Sequence, residues 1–130
     1  MRVALRLVGI ACLLASGIIH ATLVSRYQAV GDQITQGELF VVQAASAAVA
    51  AGWLLVRDHA RVWLAGLLVM AGSLAAVLIT YYVRVPAVGP LPGLYEPLWF
   101  PSKAWSAVAE GAFVLLAVAR LARVRLRRGL

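Results

Sequence analysis

Four long apolar blocks dominate this chain and leave little room for any other kind of structure. They cover about residues 3–24, 39–56, 62–83 and 104–121 of 130. Each approaches the ~20 residues that carry a helix across a ~30 Å hydrocarbon layer. None alternates apolar with polar residues over the ~10-residue length of a barrel strand, so helices are the predicted spanning form. The composition agrees. Of all residues, 63% are hydrophobic and 13% charged, whereas an average soluble domain has about 25% charged. A soluble fold of this size would lack the polar residues to cover its surface. The expectation is an all-α polytopic membrane protein, with residues 1–130 forming one domain. Its four helices pack as an antiparallel bundle, with an outer loop at 84–103 and a basic tail at 122–130.

Arg2 and Arg6 ahead of an apolar run also describe a signal peptide. This run exceeds the usual ~7–15-residue apolar core, and Ile18, Ile19 and His20 follow Ser16 and Gly17 where a small-x-small cleavage site would fall. A retained first helix is expected. Cys12 is the one cysteine, which leaves no partner for an intramolecular disulfide, a CxxC motif or a thiolate-rich metal site.

The net charge of +7 is unevenly spread. Arg2 and Arg6 precede the first block, Arg57 and Arg61 flank the turn "RDHAR", and Arg120, Arg123, Arg125, Arg127 and Arg128 close the chain. Four spans put all of these on one side and leave Arg26, Arg84 and Lys103 on the other. The positive-inside rule then places both termini in the cytoplasm of a bacterial plasma membrane. The tail "RLARVRLRRGL" reads as an anchor on anionic headgroups. It has no aromatic residue for base stacking, so nucleic acid is not an expected partner. The expected partners are the bilayer and a second copy or a larger membrane complex.

"RDHAR" reads as a tight cytoplasmic turn, so the second and third helices are expected to pack as an antiparallel hairpin. The third loop, "RVPAVGPLPGLYEPLWFPSK", contains five prolines that forbid a regular helix across it. Tyr95, Trp99, Phe100 and Trp105 are residues suited to a membrane interface. The loop is expected to lie along the outer surface and partly cap the bundle, either as a stiff connector or as a lid.

Polar side chains inside the blocks are costly there and mark candidate function. Gly9, Leu13, Ser16 and His20 form one stripe of the first helix. Gln43 opens the second, Ser73, Ala76 and Thr80 share a face of the third, and Ser106 and Glu110 are one turn apart in the fourth. With both termini inside, His20, Gln43, Tyr81, Arg84 and Glu110 fall at similar height beneath the proline-rich loop. They are the candidate ligand-binding residues of an outward-facing polar pocket. A charged acid at mid-membrane costs about 2.5–3.5 kcal/mol. Glu110 escapes that cost by protonation, or by pairing with Arg84 or a protonated His20. The alternative is that Glu110, His20 and Gln43 simply bond helices together. No metal or cofactor is expected: His20 and His59 fall on opposite sides, too few ligands for zinc. No nucleophile motif accompanies the serines, so no catalytic residue is proposed.

His20, Tyr27, "GELFVVQ" at the second helix and Glu110–Gly111 resemble a group of small four-helix membrane proteins of high-GC bacteria. That resemblance implies topology and no activity. Small multidrug transporters have similar length but carry their acid in the first helix, which has none here. From the residues, three functions are open. The first is a structural or accessory subunit without enzymatic activity. The second is binding or transport of a small or lipophilic ligand, and the third is a redox partner for quinone or haem.

Overall fold

The computed structural model describes residues 2–129. Four α-helices form among them: α1 (Arg2–Leu23), α2 (Gln36–Val56), α3 (Ala60–Tyr82) and α4 (Pro101–Gly129), with a short 3-10 turn at Ser25–Tyr27. The all-helical expectation holds. By length and composition, α1, α2 and α3 are apolar enough to cross a membrane. α4 is not among these candidates; its 29 residues carry Lys103, Glu110 and Arg120 before a run of further arginines.

Two helices outrun their apolar blocks. α2 starts at Gln36 because Thr35 and Glu38 form a capping box: the Thr35 hydroxyl accepts the Glu38 N–H, and the Glu38 carboxylate accepts the Thr35 N–H. Two N–H groups at the helix start, otherwise without partners, are thereby satisfied. α4 continues through most of the predicted tail. Its Ala, Leu and Arg residues are strong helix formers, and cations at a helix C-terminus meet the negative end of the dipole. α3 is capped by His59, whose Nδ1 accepts the Arg61 N–H at 3.1 Å.

The core holds Leu13, Leu54, Val62, Trp63, Met70 and Phe113. Small residues let the helices close on it. A Cβ on Gly66 would stand 2.5 Å from the Phe113 ring, and one on Gly9 would stand 2.8 Å from Trp63. Trp63 and Phe113 stack with centroids 5.4 Å apart. Gly17 of α1 sits on Ala44 and Ala47 of α2. The Gly17 contact thus ties α1 to α2, the Gly66 contact ties α3 to α4, and Gly9 sets α1 against Trp63 of α3. Gly52 and Gly111 face open space.

The predicted antiparallel hairpin of α2 and α3 forms, turning through residues 57–59. These two helices are joined by the shortest loop but pack on each other less than either packs on its other neighbour, and a crevice runs between them. The reason lies in the side chains: α2 turns its alanines to α1, while Gly66 draws α3 to α4.

The two ends of the bundle differ in chemistry. At the end holding the 57–59 turn and both chain ends, Arg6 donates to the Leu54 and Leu55 carbonyls at 2.7 and 2.6 Å. Asp58 accepts the Trp63 indole N–H at 2.8 Å and lies 3.7 Å from Arg120. At the opposite end, segment 83–100 folds into a narrow tongue. Val85 and Leu94 exchange backbone hydrogen bonds of 2.9 Å, and Val88 pairs with Leu91. The tongue is fastened by Ile34 N–H to Pro90 O and by Glu96 N–H to Thr80 O.

Candidate ligand-binding cavity

Glu110 is fully buried, and the surrounding side chains aim three hydroxyls at one of its oxygens. Oε1 accepts from Ser16 at 2.9 Å, Ser73 at 2.7 Å and Ser106 at 2.8 Å. The donors come from α1, α3 and α4. The fourth helix joins through Gln43, whose Nε2 donates to Ser16 Oγ at 2.9 Å. Every helix therefore contributes a side chain to one polar knot. Ser106 and Glu110 reach it together because residues four apart share a helix face. The same rule places Ser16 and His20 side by side.

His20 completes the knot. Its Nδ1 lies 2.9 Å from the Ser16 carbonyl, an acceptor only, so Nδ1 carries a hydrogen. Its Nε2 faces Ser73 Oγ at 3.4 Å and Glu110 Oε1 at 4.0 Å. Glu110 Oε2 and Gln43 Oε1 are buried with no protein partner. Such groups carry a desolvation cost of about 1–3 kcal/mol each. The site is held together by hydrogen bonds and still retains unused polar capacity.

Beside the knot lies a cavity of about 320 Å³ between α2 and α3, beneath the tongue. His20, Gln43, Ser46, Ser73 and Ser106 form its polar wall. Phe40, Val42, Val69, Val77 and Leu94 supply much of its apolar lining. Glu110 does not border it and stands one layer behind the serines. A second groove, lined by Val49, Trp53 and Ala65 among others, shares Ser46 and Val69 with the cavity. The polar chamber and the apolar groove thus lie side by side along the α2–α3 face.

A second cluster closes the chamber on the tongue side. Tyr27 donates to both carboxylate oxygens of Glu96, at 2.6 and 2.8 Å. Lys103 lies 3.9 Å from that carboxylate and donates to the carbonyls of Glu96 and Leu98 at 2.8 and 2.9 Å. Its ammonium also rests near the Tyr81 and Trp99 rings. Burial, with the Glu96 hydrogen bond and charge, pushes the Tyr27 phenol well above the usual tyrosine range. Burial lowers the Lys103 ammonium, partly offset by Glu96.

Of the residues singled out from sequence, His20, Gln43 and Glu110 come together. Tyr81 and Arg84 do not join them. Tyr81 packs between Tyr82 and Trp99, and Arg84 is exposed with its guanidinium over Tyr95 at 5.0 Å. The suggested Arg84–Glu110 pair is corrected: the basic side chain nearest Glu110 is His20, with Nε2 4.0 Å from Oε1. The residues overlooked as site members are Ser16, Ser73 and Ser106, together with Tyr27, Glu96 and Lys103. The serines were visible as polar stripes. The second cluster joins positions 27, 96 and 103 through two irregular loops, which no periodicity reveals. Among the described residues no three His, Cys, Asp or Glu side chains group as metal ligands. Comparison with known protein families, curated proteins and solved structures finds no match to this chain.

Proposed function

We propose that this chain is a four-span bacterial plasma-membrane protein with both termini cytoplasmic, and that it binds a small lipophilic molecule bearing a polar head. The observation that carries this reading is the ~320 Å³ chamber, walled by His20, Gln43 and Ser73, which adjoins an apolar groove between α2 and α3. Ligand sites are concave and mostly apolar, with a few converging polar groups. The chamber has that character, and the groove supplies a path for a hydrocarbon tail from the lipid. Large exposed apolar side chains on all four helices, such as Leu7, Val49, Leu68 and Leu115, support the membrane setting.

The test is to extract the purified protein with organic solvent and identify the co-purified molecules by mass spectrometry. Ser46→Phe fills the junction of chamber and groove. The expected result is a lipophilic species present with the wild type and depleted at least about tenfold in Ser46→Phe, a loss of ~1.4 kcal/mol in binding. Equal recovery from both proteins, with equal melting temperatures, would remove the binding reading.

A structural or accessory role rests on a different observation, the three serine bonds by which Glu110 ties α1, α3 and α4. On that reading Glu110→Gln alters stability or assembly and leaves the extracted molecules unchanged.

A further inference from the structure

A separate cavity at the opposite end of the bundle has a strongly basic wall. It measures about 70 Å³ and is lined by Arg2 of α1, Asp58 and Trp63 at the start of the α3 hairpin, and Arg120, Arg123 and Arg127 of α4. Arg120, Arg123 and Arg127 lie on one α4 face because their spacings of three and four are helical. Four arginines against one aspartate give this wall a formal charge of +3, and Asp58 is already engaged by Trp63 and Arg120. Arg120 is only 13% exposed, and its Nε is buried with no partner among the described residues. A buried guanidinium N–H without an acceptor is a costly arrangement. Planar guanidinium forks match phosphate oxygens bidentately. Leu5 and Val124 border the same cavity and give it an apolar flank.

We infer that this cavity is a binding site for the phosphate of an anionic phospholipid headgroup, held by Arg2, Arg120, Arg123 and Arg127. The apolar flank and the adjoining exposed apolar helix surfaces favour a lipid over free phosphate. The lipid source rests on the membrane reading above, whereas the phosphate pocket itself does not.

Native mass spectrometry of the full chain in neutral detergent tests this by titration with phosphatidylglycerol, phosphatidylcholine and inorganic phosphate. The wild type is expected to retain phosphatidylglycerol in preference to phosphatidylcholine. Arg123→Gln/Arg127→Gln removes two exposed cavity arginines and is expected to weaken phosphatidylglycerol binding about thirtyfold. Arg125→Gln/Arg128→Gln removes the same charge from neighbouring positions that do not line the cavity, and is expected to stay within about twofold of wild type. Equal weakening in the two double variants would mean diffuse attraction to the basic end and would overturn the site. Absence of preference for phosphatidylglycerol in the wild type would overturn it too. Inorganic phosphate binding as tightly as the lipid, and lost in Arg123→Gln/Arg127→Gln, would keep the pocket and overturn the lipid assignment. Helical circular dichroism and melting temperature, expected unchanged in both doubles, separate loss of binding from loss of fold.

Discussion

Glu110 stays in an apolar helix because three hydroxyls and an imidazole meet it there. Removing the carboxylate and removing its charge have different consequences. Glu110→Ala leaves the Ser16, Ser73 and Ser106 hydroxyls without their acceptor, and is expected to cost about 3–5 kcal/mol, since each buried donor left unpaired costs about 1–3 kcal/mol. Glu110→Gln keeps a carbonyl oxygen for the serines but sets an N–H₂ where Oε2 finds no partner, at a cost of about 1–3 kcal/mol. Denaturation in mixed micelles measures both, and equal costs would contradict the arrangement. Tyr27 supplies a pH dependence. Its phenol titrates higher in the folded chain than in the unfolded one, so the folded state holds the proton longer. The resulting stabilisation is complete below the unfolded value of about 10 and is lost as pH rises toward the folded value. Lys103, shifted downward, acts in the opposite sense, so the measurement is a difference. Between pH 8 and 11 the wild type is expected to lose more stability than Tyr27→Phe; parallel curves would remove Tyr27 from the balance.

At the level of elements, glycines decide which helices touch. Gly66→Ala drives a methyl into Phe113 and is expected to cost about 1–3 kcal/mol, the range for overpacking. Gly52→Ala faces open space and is expected to be neutral or to stabilise by up to about 1 kcal/mol through helix propensity. Melting temperatures of the two variants check the pair, and similar values would contradict the packing. This asymmetry also explains what sequence could and could not convey. The 3.6-residue period exposed the Gly9–Leu13–Ser16–His20 stripe and the Ser106–Glu110 pair, which is why three of five candidate residues meet. The Thr35–Glu38 capping box was equally readable and moves the α2 start from 39 to 36. Which small-residue face chooses which neighbour depends on Trp63 and Phe113 stacking across the bundle. Alanines occur on nearly every face, so spacing could not tell Gly66 from Gly52. Tyr81 turns to Trp99 rather than to Glu110, because depth along a helix does not determine direction around it, and Arg84 lies past the end of α3, over Tyr95 in the tongue.

For the whole molecule, the separation of chemistry between the two ends raises a topological question centred on α4. The basic wall of Arg2, Arg120, Arg123 and Arg127 stands at one end, and the tongue, Glu96 and Lys103 stand at the other. A bundle whose arginines collect at one end matches the charge bias that orients spans. α4 is the helix on which this reading turns, since it carries Glu110 inside its apolar stretch and is the least apolar of the four. Its burial against α1 and α3 offers an explanation: Glu110, Ser106 and Lys103 are shielded by protein, so lipid need not solvate them. Single cysteines in a Cys12→Ala background test it directly. Asp32→Cys and Leu98→Cys are expected to react with a membrane-impermeant maleimide in intact cells, whereas Arg57→Cys and Arg125→Cys react only after permeabilisation. Labelling of positions 98 and 125 from the same side would show that α4 does not cross, and the chamber would then no longer open within a four-span bundle.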